Sequence, residues 1–178
     1  MTPEFSRPQR LDQLGPGEFV VEVAAKPAER AALAQRFGLL AIDRLEARFA
    51  LRRDPAGVTS TGHLSAAITQ ACVVTGEPCA ATLEEEFALR FLPEGSESAE
   101  DVELSGDALD TMFFAGSAID LGEAAAETMA LTLDPFPRSP AATEALAAAG
   151  IKSEDQVGKE PGKFAALAGL RDKLAGKP

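Results

Sequence analysis

A chain of 178 residues, 46% of them apolar, is long enough to bury one ordinary core, so one domain is expected rather than two. It has ten Phe but neither Trp nor Tyr, which weighs against a tyrosine acid, an indole stacking platform or an aromatic RNA-reading sheet. The net charge of −11 opposes non-specific nucleic-acid binding, and it is uneven: residues 91–134 hold eleven acidic residues and no Lys or Arg.

In chain order, the Pro- and Gly-rich residues 1–18 are expected as an extended arm ending in the turn Gly15-Pro16-Gly17. They contain no apolar stretch of signal-peptide length, and no later run approaches a membrane span, so a cytoplasmic protein with free thiols is expected. Phe19 to Val23 reads as a first strand. Pro27 suits the first position of a helix over Ala28 to Phe37, stopped by Gly38, with Leu33 and Phe37 toward a sheet. Residues 44–52 alternate cleanly: Leu45, Ala47, Phe49 and Leu51 share one face, and Arg44, Glu46, Arg48 and Arg52 the other. After the turn Asp54-Pro55-Ala56-Gly57, Val58, Leu64, Ala66, Ile68 and Cys72 have inward parity and His63 outward parity. Gly76 and Pro78 then break the chain, and alternation resumes over Leu83 to Leu92. This is a hairpin with Cys72 and Cys79 at its turn, and if its second strand lies beside the Arg-bearing strand or one removed from it, Glu84 and Glu86 are placed to offset Arg48 and Arg52.

Pro93 to Asp110 reads as an acidic loop and Met112-Phe113-Phe114 as a short strand. Asp120 is expected to cap a helix from Leu121 to about Leu133, with Glu123 reaching back to close a capping box and Leu121, Ala125 and Met129 forming the buried stripe. Pro135 and Pro137 end it. The division expected is an arm over 1–18, a single α+β domain over 19–134 and a poorly anchored Pro/Ala/Gly/Lys-rich tail over 135–178. In that tail Phe164, Leu167 and Leu170 mark a short amphipathic helix over 163–174. The fold class is α+β: a curved antiparallel sheet of about five or six strands with two packed helices.

A cysteine followed by Val73-Val74-Thr75 and then a Glu77-Pro78 turn resembles the YceD family, the bacterial large ribosomal RNA accumulation proteins. The likeness continues through Ile119-Asp120-Leu121-Gly122-Glu123, through Leu133-Asp134-Pro135 and through Phe164 to Leu170. Many members carry C-x-x-C at the turn. Here Thr75 holds the second position, so the resemblance carries over Cys72 alone, and Cys79 is an addition of this sequence. The resemblance implies a non-enzymatic factor in large-subunit rRNA accumulation and ribosome biogenesis. Its partners would be that RNA or its precursor particle, with no cofactor, no membrane and no DNA.

The residues supply candidate surfaces for this role. Arg44, Arg48, Arg52 and Arg53, joined by Arg36 from the preceding helix, are the one concentrated basic surface and are expected to face RNA. The acidic segment 91–134 is expected to attract a basic ribosomal protein, so that the factor bridges the two. Phe164, Leu167 and Leu170 would either dock on their own domain or serve a partner groove. Two thiols and one histidine on the opposite face fall short of a structural zinc site. Two other classes stay open: a thiol-based redox protein or enzyme at Cys72 and Cys79, and an interaction module that never touches RNA.

Overall fold

The computed structural model of the chain describes residues 3–95 and 110–151. In order they form β1 (Pro8–Arg10), a 3-10 turn (Leu11–Gln13), β2 (Glu18–Ala24), α1 (Pro27–Phe37), β3 (Ala41–Arg53), β4 (Val58–Ala71), β5 (Pro78–Pro93), β6 (Asp110–Phe114), β7 (Ala118–Asp120), α2 (Leu121–Leu131) and α3 (Ala142–Ala148). Strands β2 to β6 make one open sheet in sequence order. The first three pairings are antiparallel, and β6 joins parallel to the end of β5, Leu89 opposite Asp110. The α+β architecture thus holds, with one parallel pair at the edge of an otherwise antiparallel sheet.

Side-chain parity places the core. Leu45, Ala47, Phe49 and Leu51 of β3 are buried, whereas Arg44, Glu46, Arg48 and Arg52 are exposed. A bulge between Ile42 and Arg44 inserts one residue, which lets Ile42 and Leu45 both point inward despite their odd spacing. Val58, Leu64, Ala66 and Ile68 from β4 and Leu89 and Phe91 from β5 complete the inner face. Against it lie Leu33 of α1 and Leu121, Ala125 and Met129 of α2, all fully buried in one cluster. Arg36 of α1 pairs with Glu123 of α2 at 2.6 Å and so ties the two helices together.

That ion pair corrects the expected capping box. Asp120 does cap α2, its carboxylate accepting the N–H groups of Gly122 and Glu123, but the Glu123 side chain goes to Arg36 and not back to the cap. A bidentate guanidinium is the stronger partner for a carboxylate than one backbone amide. At the other helix, Pro27 opens α1, Glu29 accepts from Lys26 N–H at 2.7 Å, and Gly38 ends it in the left-handed region at φ 67°.

The described residues flanking 19–134 pack against the domain. Within residues 1–18, β1 pairs antiparallel with β7, and Phe5 and Leu14 are buried in the same cluster as the sheet. Beyond residue 134, Pro137, Ser139 and Ala142 are buried, and Val73 N–H donates to the Pro137 carbonyl at 2.9 Å. The amphipathic stretch with Phe164, Leu167 and Leu170 and most of the acidic loop lie outside the described residues.

Candidate functional site

Two places gather the sequence-predicted residues. The first is the outer face of the sheet, which α1 and α2 leave open. Strand register arranges it in rows: Glu18, Arg52, Thr59 and Arg90; then Val20, Ala50, Thr61 and Ala88; then Glu22, Arg48, His63 and Glu86; then Ala24, Glu46, Ser65 and Glu84. Small residues floor the face and charged ones stand beside them. A groove of about 470 Å³ runs over the lower rows between Glu22, Glu46, Arg48, His63 and Ser65.

The basic residues on this face differ in how far they are engaged. Arg44 reaches Glu84 at 3.5 Å, and the same carboxylate accepts from Ser65 at 2.8 Å and meets His63 Nε2 at 2.9 Å. The hydrogen bond from Ser65, then that of His63, hold Glu84 below the usual carboxylate range. His63 also lies 3.4 Å from Glu86. Register sets His63 of β4 between Arg48 and Glu86, and Glu84 reaches Arg44 across β4, so the β5 glutamates meet His63 and Arg44 rather than the expected Arg48 and Arg52. Arg48 has one long contact, 3.9 Å to Glu22, between side chains that are 65% and 78% exposed. Arg52 has no ion-pair partner among the described residues, whereas Arg53 donates to the Leu11 carbonyl at 3.0 Å. Arg36 lies elsewhere, held by Glu4 and Glu123.

The second place is the cysteine turn. Cys72 follows the last residue of β4, is 3% exposed, and its sulfur accepts two backbone N–H groups, from Thr75 at 3.4 Å and from Ser139 at 3.2 Å. Burial pushes the Cys72 thiol up. The Ser139 amide and the amide and hydroxyl of Thr75, with the Ser139 hydroxyl, outweigh burial and bring it down to about 6. Around it, Ser139 Oγ donates to Glu77 at 2.7 Å and lies 3.1 Å from Thr75 Oγ1, so Cys72, Thr75, Glu77 and Ser139 form one connected polar knot. Gly76 makes the turn at φ 74°. Ser139 is the residue that sequence reasoning missed; it lies 67 positions from Cys72 in a stretch with no apolar period to mark it.

The remaining motif residues clamp the N-terminal strap onto α2. Asp120 accepts from Ser6 Oγ at 2.5 Å and Arg7 N–H at 2.7 Å as well as from its own helix. Leu121 is fully buried, and Gly122 lies against the Phe5 carbonyl, where a Cβ would overlap it.

Both motif regions fall within a longer match. A family model described as "Large ribosomal RNA subunit accumulation protein YceD" matches residues 60–171, more than half of the chain. The chain belongs to the YceD family. No curated protein and no solved structure is detectably similar to it. In this YceD chain Cys72 and Thr75 fasten the segment after α2, and Asp120 and Gly122 hold the segment before β1. Among the described residues no group of three His, Cys, Asp or Glu side chains is placed to hold a metal ion, and no helix is long and apolar enough to cross a membrane.

Proposed function

We propose that this protein is a non-enzymatic, cytoplasmic factor in large-subunit ribosomal RNA accumulation that meets RNA through Arg48 and Arg52 on the outer sheet face. The family match supports the biological role. The observation that carries the surface assignment is the state of these two guanidinium groups. One has a single long, exposed contact and the other none among the described residues, whereas Arg44, Arg53 and Arg36 are occupied.

Along the outer rows five carboxylates (Glu18, Glu22, Glu46, Glu84, Glu86) stand beside four arginines (Arg44, Arg48, Arg52, Arg90). A face so balanced does not attract RNA at long range; it contacts a few phosphates that an assembling particle already presents. The acidic segment 91–134 supports a second contact, with a basic ribosomal protein, whose encounter such a charge run speeds.

Ultraviolet cross-linking of the full chain in cells tests the surface. Large-subunit ribosomal RNA is expected to cross-link to the wild type and to be lost from the Arg48→Glu/Arg52→Glu variant at equal protein level. Equal cross-linking by the two proteins would remove this face.

A further inference from the structure

The two cysteines of the chain converge on one turn. Register pairs Gln70 with Cys79 and Ala71 with Pro78 at the end of the ladder, and Cys72 is the next residue after β4, so the two cysteines flank one turn. Both bind the same acceptor: the Glu77 carbonyl takes the Cys72 N–H at 2.8 Å and the Cys79 S–H at 3.8 Å. Burial, then the charge and hydrogen bonding of Cys72, raise the Cys79 thiol. The residues between them form a turn closed by Cys72 N–H to the Glu77 carbonyl and Gly76 N–H to the Cys72 carbonyl, so bridging the pair requires this turn to shift.

What Cys72 holds gives the pair a consequence. The stretch 134–139 is tied to the hairpin end by Gln70 to the Asp134 carbonyl, Val73 to the Pro137 carbonyl, and Ser139 N–H to the Cys72 sulfur. A bridged, neutral sulfur accepts an amide far more weakly than a thiolate, which leaves the buried Ser139 N–H without an adequate partner.

We propose that Cys72 and Cys79 form a reversible disulfide on exposure to hydrogen peroxide and that the bridge releases residues 137–139 from the cysteine turn. The Cys72 sulfur attacks one peroxide oxygen, the O–O bond breaks, and water leaves with the second oxygen, giving a sulfenic acid on Cys72. The Cys79 sulfur then attacks the Cys72 sulfur, the S–O bond breaks, and the hydroxyl departs as a second water carrying the Cys79 proton. Two thiols lose two electrons and one peroxide gains them. Ser139 and Thr75 enclose Cys72, so attack takes place when the stretch lifts transiently from the hairpin. Because it involves only the turn, this reaction is independent of the RNA-facing role.

The reduced full chain is treated with hydrogen peroxide, unfolded with an alkylating reagent and digested with trypsin. No Lys or Arg lies between Arg53 and Arg90, so both thiols fall in one peptide, Asp54 to Arg90. In the wild type this peptide is expected to lose two hydrogens in mass and to escape alkylation, and Cys79→Ser is expected to accumulate a dimedone-reactive sulfenic acid. Brief native trypsin treatment is expected to cut after the exposed Arg138 severalfold faster in the oxidised protein. Two alkylatable thiols after peroxide, or over-oxidation at the same rate in wild type and Cys79→Ser, would overturn the bridge. An unchanged rate of cutting at Arg138 in bridged protein would overturn the release.

Discussion

Asp120 gathers four hydrogen bonds on one carboxylate, two from the strap before β1 and two from the first turn of α2. Asp120→Ala removes a helix cap and leaves the Ser6 and Arg7 donors unpaired, so a loss of about 2 kcal/mol is expected in urea unfolding. Gly122→Ala drives a methyl group into the Phe5 carbonyl and is expected to cost about 1–3 kcal/mol by the same measurement, because backbone cannot step aside as a side chain can. Cys72 gives a pH signature. Its thiol is held at about 6 against an ordinary 9.0, so its contribution is complete above pH 9, shrinks as the pH falls and is gone below about 6. The unfolding midpoint of the wild type, compared with Cys72→Ser, is therefore expected to rise between pH 6 and 9. Equal pH profiles for the two proteins would contradict the thiolate.

At the scale of elements, long period-two runs were readable and short ones were not. The alternation over 44–52 predicts a strand there, and β3 spans Ala41–Arg53, extended past the bulge between Ile42 and Arg44 that hides its first residues from a period-two reading. The helix from Leu121 was visible from its cap and its buried stripe, and it ends at Leu131, before the expected Leu133. β1 and β7 have three residues each, too few to show a period, and their pairing rests on Phe5 and Ile119 being buried from opposite ends of the chain. The parallel seating of β6 on β5 was hidden for a similar reason, since Asp110–Phe114 gives parity but no direction. The fully buried Met129 anchors α2 on the sheet, so Met129→Ala is expected to cost about 2–5 kcal/mol in denaturant unfolding while far-ultraviolet circular dichroism keeps its strand signal.

The candidate sites were legible in proportion to how local they are. Cys72, Thr75 and the Asp120 to Glu123 run are contiguous motifs, and their family was readable from them; Ser139, which completes the cysteine knot, is a single polar residue in a Pro- and Ala-rich stretch. The arginines of β3 were visible as a face, but parity alone does not say which carboxylates reach them. That depends on strand order, and β4 lies between β3 and the β5 glutamates.

For the whole molecule, membership of the YceD family and an outer face with near-balanced charge support the proposal that the protein meets RNA in an assembly rather than in free solution. Sedimentation of the tagged full chain in cell-lysate gradients, at low and moderate salt and with and without ribonuclease, tests this most directly. The wild type is expected to migrate with large-subunit precursors and to leave them after ribonuclease, and Arg48→Glu/Arg52→Glu is expected to stay at the top while remaining folded. Wild-type protein confined to the top in every condition, or a double variant that migrates undiminished with the particle, would contradict the account.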